Sequence, residues 1–383
     1  MICIRQNNLT RPVAYAILYR KFAPVRGKAV AHCPRDEKWT LPSMEQLDEK
    51  GKYPKTGMIL RIRQITFQAV DINAYELVHP EGEDLPPFTA GAHIDFHFRD
   101  GSVRQYSLCN DPRERHRYVI AVLREANGRG GSQALHERLH VQRTVSVGRP
   151  RNNFALSADA KRYLLLAGGI GVTPLKAMAH ELDATGADYT LHYCTRDPAH
   201  TAFHEEFRAP ASKGRVMHHH DGGIPGKGLD IAGLLKAYEE GTHLYYCGPP
   251  GFMAACKRAT QHWPAGAVHL EYFSAAAAPK SAMSGTEIAD AGESALGLGF
   301  QVKIASTGAV FTVPNDKSIV DVLAEHGVEV ETSCRAGLCA TCKVRYLAGE
   351  VDHRDLVLSG EEQATYIATC ISRAKSPLLV LDL

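Results

Sequence analysis

Apolar and polar positions alternate along much of residues 58–157. The stretches ILRIRQITFQAV and AHIDFHF broadly change character at every second residue, and RYVIAVLRE is a compact apolar run. A period of two is typical of strands with one buried face, and turn sequences such as Pro86-Pro87 separate these stretches. The segment is therefore predicted to be an all-β domain, a small barrel or a sandwich.

Residues 158–273 follow a different pattern. The runs YLLLAGG, YTLHYCTRD and THLYYCGPP predict buried strands, and LKAMAHELDATG between them predicts a helix. Strands that alternate with helices predict a parallel sheet covered by helices. Residues 274–297 follow, rich in Ala, Ser and Gly without a periodic apolar face, and this composition is typical of a linker.

Residues 298–383 predict a third domain, in which FQVKIAS and AVFTVP form a hairpin, SIVDVLAEHGV an amphipathic helix and PLLVLDL a closing strand. Residues 1–57 show neither a strand nor a helix period. They are interpreted as an N-terminal extension that is poorly ordered. A further hypothesis places the original start of the protein at Met58, where the strand pattern begins.

Composition excludes few classes of function. The chain has 383 residues, 22% of them charged, and a net charge of +2. This balance gives no reason to expect nucleic acid or a membrane surface as a partner, and no apolar run approaches the roughly 20 residues of a spanning helix. Ten cysteines without a clear signal peptide favour a reducing compartment, the cytoplasm, where cysteine clusters usually serve metal or redox chemistry.

Three cysteines stand close together as Cys334-x4-Cys339-x2-Cys342, and Cys370 follows downstream. Zinc ribbons usually combine two close pairs, whereas three close cysteines and a distant fourth have the spacing of a plant-type [2Fe-2S] cluster. Small neighbours such as Gly337 let backbone amides approach the sulfurs. Structural zinc and buried free cysteines are the alternatives. A redox pair would leave Cys334 and Cys370 unexplained.

Glycine-bearing turns follow two of the predicted strands in residues 158–273. GGIGVTP opens a helix, and CGPPGFM follows a later strand. Glycines let the backbone approach a pyrophosphate, which a helix N-terminus attracts. A purely structural turn is the alternative for the first stretch. The candidate nucleotide-binding residues are Gly169, Gly171, Thr173, Pro174, Cys247, Gly248 and Pro249.

Two stretches of the all-β segment suit a flat ring with a phosphate tail. In Arg104–Ser107 an aromatic side chain and a hydroxyl stand beside a guanidinium. Gly130, Gly131 and Ser132 form a second glycine-rich turn whose amides could bind phosphate. Taken alone, the alternatives are a barrel strand with one surface arginine for the first stretch and a flexible hairpin for the second.

The motifs RQYSL, GRGGS, GGIGVTP, YCGPPGFM and the C-terminal cysteine run occur together and in this order. From about Met58 to Leu383 the chain resembles phthalate dioxygenase reductase and its relatives, including vanillate demethylase reductase. These are single-chain reductases of Rieske-type oxygenases. The resemblance implies an antiparallel flavin-binding β-barrel, an α/β nicotinamide domain with a parallel sheet, and a C-terminal plant-type ferredoxin domain of the β-grasp type.

The resemblance also implies FMN rather than FAD. Arg104, Gln105, Tyr106 and Ser107 match the stretch that flanks the flavin ring, with Gln105 where the family has Thr. Gly131 and Ser132 match the phosphate loop. Thr173 matches a residue near both flavin and nicotinamide, Cys247 matches one near the nicotinamide, and Phe273 matches the ring that covers the flavin when the nucleotide is absent.

NADH is implied as the electron donor, in preference to NADPH. Asp197, after Thr195 and Arg196, fits a carboxylate that binds the ribose hydroxyls and repels a 2′-phosphate. Arg196 favours NADPH instead, because its guanidinium could bind that phosphate. The resemblance assigns the cluster to the thiolates of Cys334, Cys339, Cys342 and Cys370.

The expected function follows from the number of electrons that each group transfers at a time. NADH gives up two electrons together and a [2Fe-2S] cluster takes one at a time, so a flavin must stand between them. No side chain need act as acid, base or nucleophile. We expect a monomeric NADH-dependent reductase whose electrons go to a Rieske-type oxygenase. The alternatives are a different acceptor, such as a free ferredoxin or a heme monooxygenase, and a non-catalytic electron carrier or redox sensor.

Overall fold

The computed structural model describes residues 57–383 except 99–101, 127, 129, 209–214 and 274–298. The predicted N-terminal extension, the hypothesis of a start at Met58 and the predicted linker therefore concern residues that lie outside the described ones. Within the described ranges no helix is long and apolar enough to cross a membrane.

The first sheet is antiparallel and confirms the all-β prediction. Its six strands run in the order β4-β3-β6-β1-β2-β5, and an isolated bridge from Leu108 to Ile120 joins the two outer strands. The alternating residues Leu60 and Ile62 are fully buried in its core. The elements are β1 (Met58–Ala69), β2 (Ile72–Val78), β3 (His93–His97), β4 (Val103–Ser107), β5 (Tyr118–Leu123), α1 (Gly131–Arg138) and β6 (Thr144–Val147).

The second sheet is parallel, as predicted, with helices on both faces. Its five strands run in the order β11-β10-β7-β8-β9, so the carboxyl ends of all of them meet at one edge. The elements are β7 (Arg162–Gly168), α2 (Val172–Thr185), β8 (Tyr189–Thr195), α3 (His204–Arg208), β9 (Arg215–His220), α4 (Ile231–Leu234), β10 (Thr242–Cys247), α5 (Pro250–Ala259) and β11 (Val268–Glu271).

The third sheet is mixed and smaller. Its strands run in the order β13-β12-β18-β14-β16, and β15 and β17 form a separate pair. A capping box of Ser318 and Asp321 begins its helix α6. The elements are β12 (Phe300–Ile304), β13 (Val310–Val313), α6 (Ile319–Glu325), β14 (Lys343–Ala348), β15 (Val351–Asp352), α7 (Gly360–Gln363), β16 (Tyr366–Ala368), β17 (Arg373–Ala374) and β18 (Leu378–Leu381).

The first and second sheets share one apolar core, in which Ile72 of β2 and Leu175 of α2 both take part. Lys176, also on α2, is only 6% exposed. Its ammonium donates to the carbonyl of Cys109 at 3.1 Å and forms an ion pair with Glu206 at 2.9 Å. A buried lysine is costly unless it is paired. The bond to Cys109 joins α2 to the segment that follows β4, and the ion pair joins α2 to α3. The division into domains at the predicted residues stays a prediction.

Candidate functional site

A candidate anion site lies where strand β4 meets the start of helix α1. A Cβ atom added to Gly131 would lie 2.9 Å from Cγ and 3.0 Å from Nε of Arg104, so the arginine side chain lies directly over that turn. Gly130 before it has a φ of 83°, which favours glycine. The structure thus brings two distant motifs together, and a guanidinium beside a helix N-terminus suits a phosphate group.

The rest of β4 has two different environments. Tyr106 packs edge-on against Phe96, with ring centroids 6.0 Å apart. Gln105 points into the first sheet, where its amide nitrogen donates to Asp95 at 3.3 Å and lies 2.9 Å from Nε2 of His93. The amide nitrogen of Gln105 thus has two partners within the protein. A direct contact between Gln105 and the flavin stays a prediction.

The two glycine turns of the second sheet contact each other. A Cβ atom on Gly171 would lie 2.7 Å from the backbone nitrogen of Gly248 and closer still to the carbonyl of Cys247. Only glycine permits this approach. Thr173, 2% exposed, donates its hydroxyl to the carbonyl of Ile170 at 3.0 Å, and Pro174 lies in the first turn of α2. The two turns meet at the carboxyl ends of β7 and β10, the edge of such a sheet where dinucleotides bind.

Glu271 is a site residue that the sequence analysis missed. It ends β11, and its side chain is 16% exposed. The hydroxyl of Ser107 donates to Glu271 at 3.3 Å, and burial raises the pKa of Glu271 to about 8. A carboxyl with such a pKa is largely protonated at neutral pH. Such a perturbed group beside two predicted cofactor residues is a common mark of a functional site.

Two predicted residues flank Glu271 in different ways. Cys247 is fully buried, and this burial raises the pKa of its thiol well above the usual range. Negative charge on Glu271, when that carboxyl is ionised, is a second and smaller cause. Phe273 is 41% exposed at the end of the described segment. An exposed aromatic ring is suited to cover a flat cofactor. That role stays a prediction.

The stretch after β8, predicted to bind the adenosine end of the nucleotide, is largely engaged within the protein. The hydroxyl of Thr195 lies 2.7 Å from that of Thr201. Oδ1 of Asp197 accepts hydrogen bonds from the backbone and the ring of His200, at 3.1 and 2.7 Å, and the ring contact is the main cause that lowers the pKa of Asp197. Arg196 is exposed beside Gly223. Asp197 therefore caps a short helix, and its contact with ribose stays a prediction.

The four predicted cluster ligands lie together in the part of the chain that forms the third sheet, each at most 8% exposed. We call Ser333–Cys342 the cluster loop. The amides of Ala336 and Leu338 donate to Sγ of Cys334 at 3.4 and 3.3 Å. Arg335, Gly337 and Ala340 have φ values of 49°, 70° and 54°. Non-glycine residues in this region are strained, and such strain concentrates at functional sites. The loop wraps its amides around the sulfurs, as a cluster requires.

The thiols associate in two pairs, Cys334 with Cys339 and Cys342 with Cys370. Hydrogen bonding within each pair lowers the pKa of Cys339 to about 5 and also lowers the pKa of Cys342. Over the described ranges, no three His, Cys, Asp or Glu side chains are arranged to hold a single metal ion. Two thiol pairs suit a group with two irons, each bound by two sulfurs.

Comparisons with known proteins agree with this geometry. Residues 302–375 match the 2Fe-2S iron-sulfur cluster binding domain. The reductase subunit of tert-butanol monooxygenase / tert-amyl alcohol desaturase from Aquincola tertiaricarbonis is 64% identical, over 89% of this chain and 100% of the relative. A solved structure of phthalate dioxygenase reductase, described as modular for electron transfer from pyridine nucleotides to [2Fe-2S], is 41% identical with a TM-score of 0.61, over 85% and 98% of the two chains. An intact type IV self-sufficient cytochrome P450 monooxygenase matches with 36% identity and a TM-score of 0.73, over 85% of this chain and 41% of its own.

Proposed function

Because the chain belongs to the family of phthalate dioxygenase reductase, we propose that it is the NADH-dependent reductase component of a Rieske-type oxygenase system. As a member of this family it is an oxidoreductase that carries electrons between a pyridine nucleotide, a flavin and a [2Fe-2S] cluster. When bound, the flavin supplies the chemistry that accepts two electrons together and releases them singly. The protein supplies binding, orientation and tuning.

The observation that supports the proposal is that one chain carries residues suited to a flavin, a pyridine nucleotide and a [2Fe-2S] cluster. Arg104 over the start of α1 is suited to a flavin phosphate, the contacting turns of Gly171 and Gly248 are suited to a nucleotide, and the four buried cysteines are suited to two irons. A carrier or sensor without turnover would need the thiols alone. The conjunction of sites therefore favours an enzyme.

The proposal assigns each predicted residue to one of these sites. The flavin site comprises Arg104, Gln105, Tyr106, Ser107, Gly130, Gly131, Ser132 and Phe273. The nucleotide site comprises Gly169, Gly171, Thr173, Pro174, Thr195, Arg196, Asp197, Cys247, Gly248 and Pro249. The cluster ligands are Cys334, Cys339, Cys342 and Cys370. We add Glu271, which lies between the flavin and nucleotide sites through its bond with Ser107.

We propose FMN as the flavin and NADH as the donor. The anion site of Arg104 and α1 suits the single terminal phosphate of FMN. Asp197 supports NADH because a carboxylate repels a 2′-phosphate. We further propose that the enzyme works as a monomer in the cytoplasm, and its ten cysteines support a reducing compartment. The oxygenase partner is supported by the relatives that are named as reductase subunits.

One set of measurements on purified holoprotein tests these assignments together. We expect the absorbance of a flavin and of a [2Fe-2S] cluster, FMN on extraction, and two irons per chain, the number in such a cluster. NADH should reduce cytochrome c through the enzyme more efficiently than NADPH does. Release of FAD, or better turnover with NADPH, would overturn those two choices separately. A colourless protein that contains zinc would overturn the whole proposal.

A heme monooxygenase is a second candidate acceptor. The observation that favours it is the TM-score of 0.73 with the self-sufficient cytochrome P450 monooxygenase, which exceeds the value of 0.61 for phthalate dioxygenase reductase. Reconstitution with purified Rieske and heme oxygenases separates the two. The true partner should restore NADH-dependent turnover at low concentration, and the other should not.

A further inference from the structure

Two hydrogen bonds connect the cluster loop to the first domain. The hydroxyl of Ser333 donates to Oδ1 of Asp95 at 2.7 Å. The side-chain amide of Asn153 donates from Nδ2 to the backbone carbonyl of Cys339, a proposed cluster ligand, at 2.7 Å. The partners are 238 and 186 residues apart in sequence. They are therefore contacts between domains and not parts of a local turn.

The Ser333 contact is buried on both sides. Ser333 is 5% exposed and Asp95 is 7% exposed. Asp95 lies on β3 and also forms an ion pair with Arg151 at 2.5 Å. A carboxylate can only accept hydrogen bonds, so the serine hydroxyl must be the donor. Hydrogen bonds to charged groups are among the stronger ones, and a buried partner that loses its bond is costly.

The same carboxylate holds Gln105 on the neighbouring strand. The amide nitrogen of Gln105 donates to Asp95 at 3.3 Å, and its other hydrogen faces Nε2 of His93 at 2.9 Å. The orientation of the amide is therefore determined, because Asp95 has no hydrogen to give. Gln105 lies between Arg104 and Tyr106 in the proposed flavin strand. A continuous set of polar contacts thus runs from that strand through Asp95 to the residue before Cys334.

We propose that Asp95, Ser333 and Asn153 form a latch that holds the cluster loop against the flavin strand, and that Gln105 aligns Asp95 for this purpose. The latch residues are positioning residues for electron transfer from flavin to cluster, a step in which one electron moves and no bond forms or breaks. The inference rests on the proposed function. It gives the Gln105 position, where the family resemblance implies Thr, a role in this chain.

The test is a comparison of wild type, Ser333→Ala and Asn153→Ala as holoenzymes mixed rapidly with NADH. Flavin bleaching should keep its wild-type rate, because the nucleotide crevice is untouched. Cluster reduction, followed by its absorbance and by electron paramagnetic resonance after freeze-quenching, should slow about tenfold, which corresponds to about 1.4 kcal/mol of lost docking. Ser306→Ala, at an exposed serine of the same domain, is the matched control and should change neither rate.

Hydrogen exchange gives a readout that does not depend on turnover. Amides of the cluster loop should exchange faster in Ser333→Ala than in wild type, while those of β18 stay protected. In a double-mutant cycle, the cluster loop should dock no worse in Asp95→Ala/Ser333→Ala than in Asp95→Ala alone, because Asp95→Ala has already removed the bond to Ser333.

Three results would overturn the latch. These are an unchanged cluster-reduction rate with unchanged exchange in Ser333→Ala, additive effects in the cycle, or equal slowing of flavin bleaching and cluster reduction. Failure of the proposed function looks different, because wild-type protein itself would then lack a flavin or a cluster that NADH can reduce.

Discussion

Replacement of Gly171 by alanine tests whether the contact between the two glycine turns forms the nucleotide site. Gly171 has a φ of −61° and a ψ of −5°, which alanine adopts without strain. The backbone therefore tolerates the substitution, and only the added methyl group matters. That group would lie 2.7 Å from the nitrogen of Gly248 and nearer still to the carbonyl of Cys247.

The size of the effect follows from this overlap. Non-bonded atoms prefer separations of about 3.5 Å or more, so the two turns must move apart by about 1 Å. Overpacking of this kind costs about 1–3 kcal/mol. If this free energy is lost from nucleotide binding, the Kd for NAD⁺ should rise by about 5- to 150-fold. Isothermal titration of the oxidised holoenzyme measures the Kd, and absorbance and iron content verify that flavin and cluster are retained.

Gly251 provides the matched control. It lies in α5, in the segment that follows Gly248, and a Cβ atom there would meet open space. Gly251→Ala should leave the Kd unchanged. The reasoning would be refuted if Gly171→Ala bound NAD⁺ as tightly as wild type while both variants kept their flavin and cluster.

Three further predictions concern single side chains. The folded-state pKa of Glu271 lies near 8, above its ordinary 4.5. The free energy of unfolding of the wild type should therefore fall as pH rises from 5 to 8, by at most about 1.4 kcal/mol per pH unit. Glu271→Gln should flatten this pH dependence in thermal unfolding, and parallel curves for the two proteins would contradict the prediction. Cys370→Ser should lose the visible absorbance and the iron of the cluster, whereas Cys194→Ala should keep both; retention of a full cluster by the first variant would count against the ligand set. Arg104→Gln should raise the Kd for FMN about tenfold or more, since charge-assisted hydrogen bonds contribute about 1.5–3 kcal/mol. The surface variant Arg124→Gln should bind FMN normally in the same fluorescence titration. Equal affinities of the two variants would argue against the phosphate site.

Local chemistry made several features predictable. The cysteine spacing indicates a two-iron cluster because ligands must lie on one short loop and one separate element. The glycine turns predict a close approach of two backbone segments, and the contact of Gly171 with Cys247 is such an approach; their role in nucleotide binding stays a prediction. Alternating and continuous apolar runs predicted an antiparallel and a parallel sheet, and both are observed.

Features that depend on distant contacts were not predictable. Glu271 looks like any polar strand residue, and its raised pKa appears only when the first and second sheets bury it beside Ser107. Asp197 has the position of a ribose ligand in the sequence, but a hydrogen bond to His200 makes it a helix cap. Neither result can be read from spacing, because burial and competing partners are set by neighbours in space.

The sequence by itself determined the kinds of groups that the chain can bind, since ligand type, spacing and turn chemistry act over a few residues. Only the tertiary structure decided which distant polar residues contact each other. Asp95 and Ser333 are 238 residues apart, and no local pattern distinguishes them from other polar residues. Their contact exists because the packing of the sheets places the cluster loop against Asp95, and a buried carboxylate is stabilised by hydrogen-bond donors.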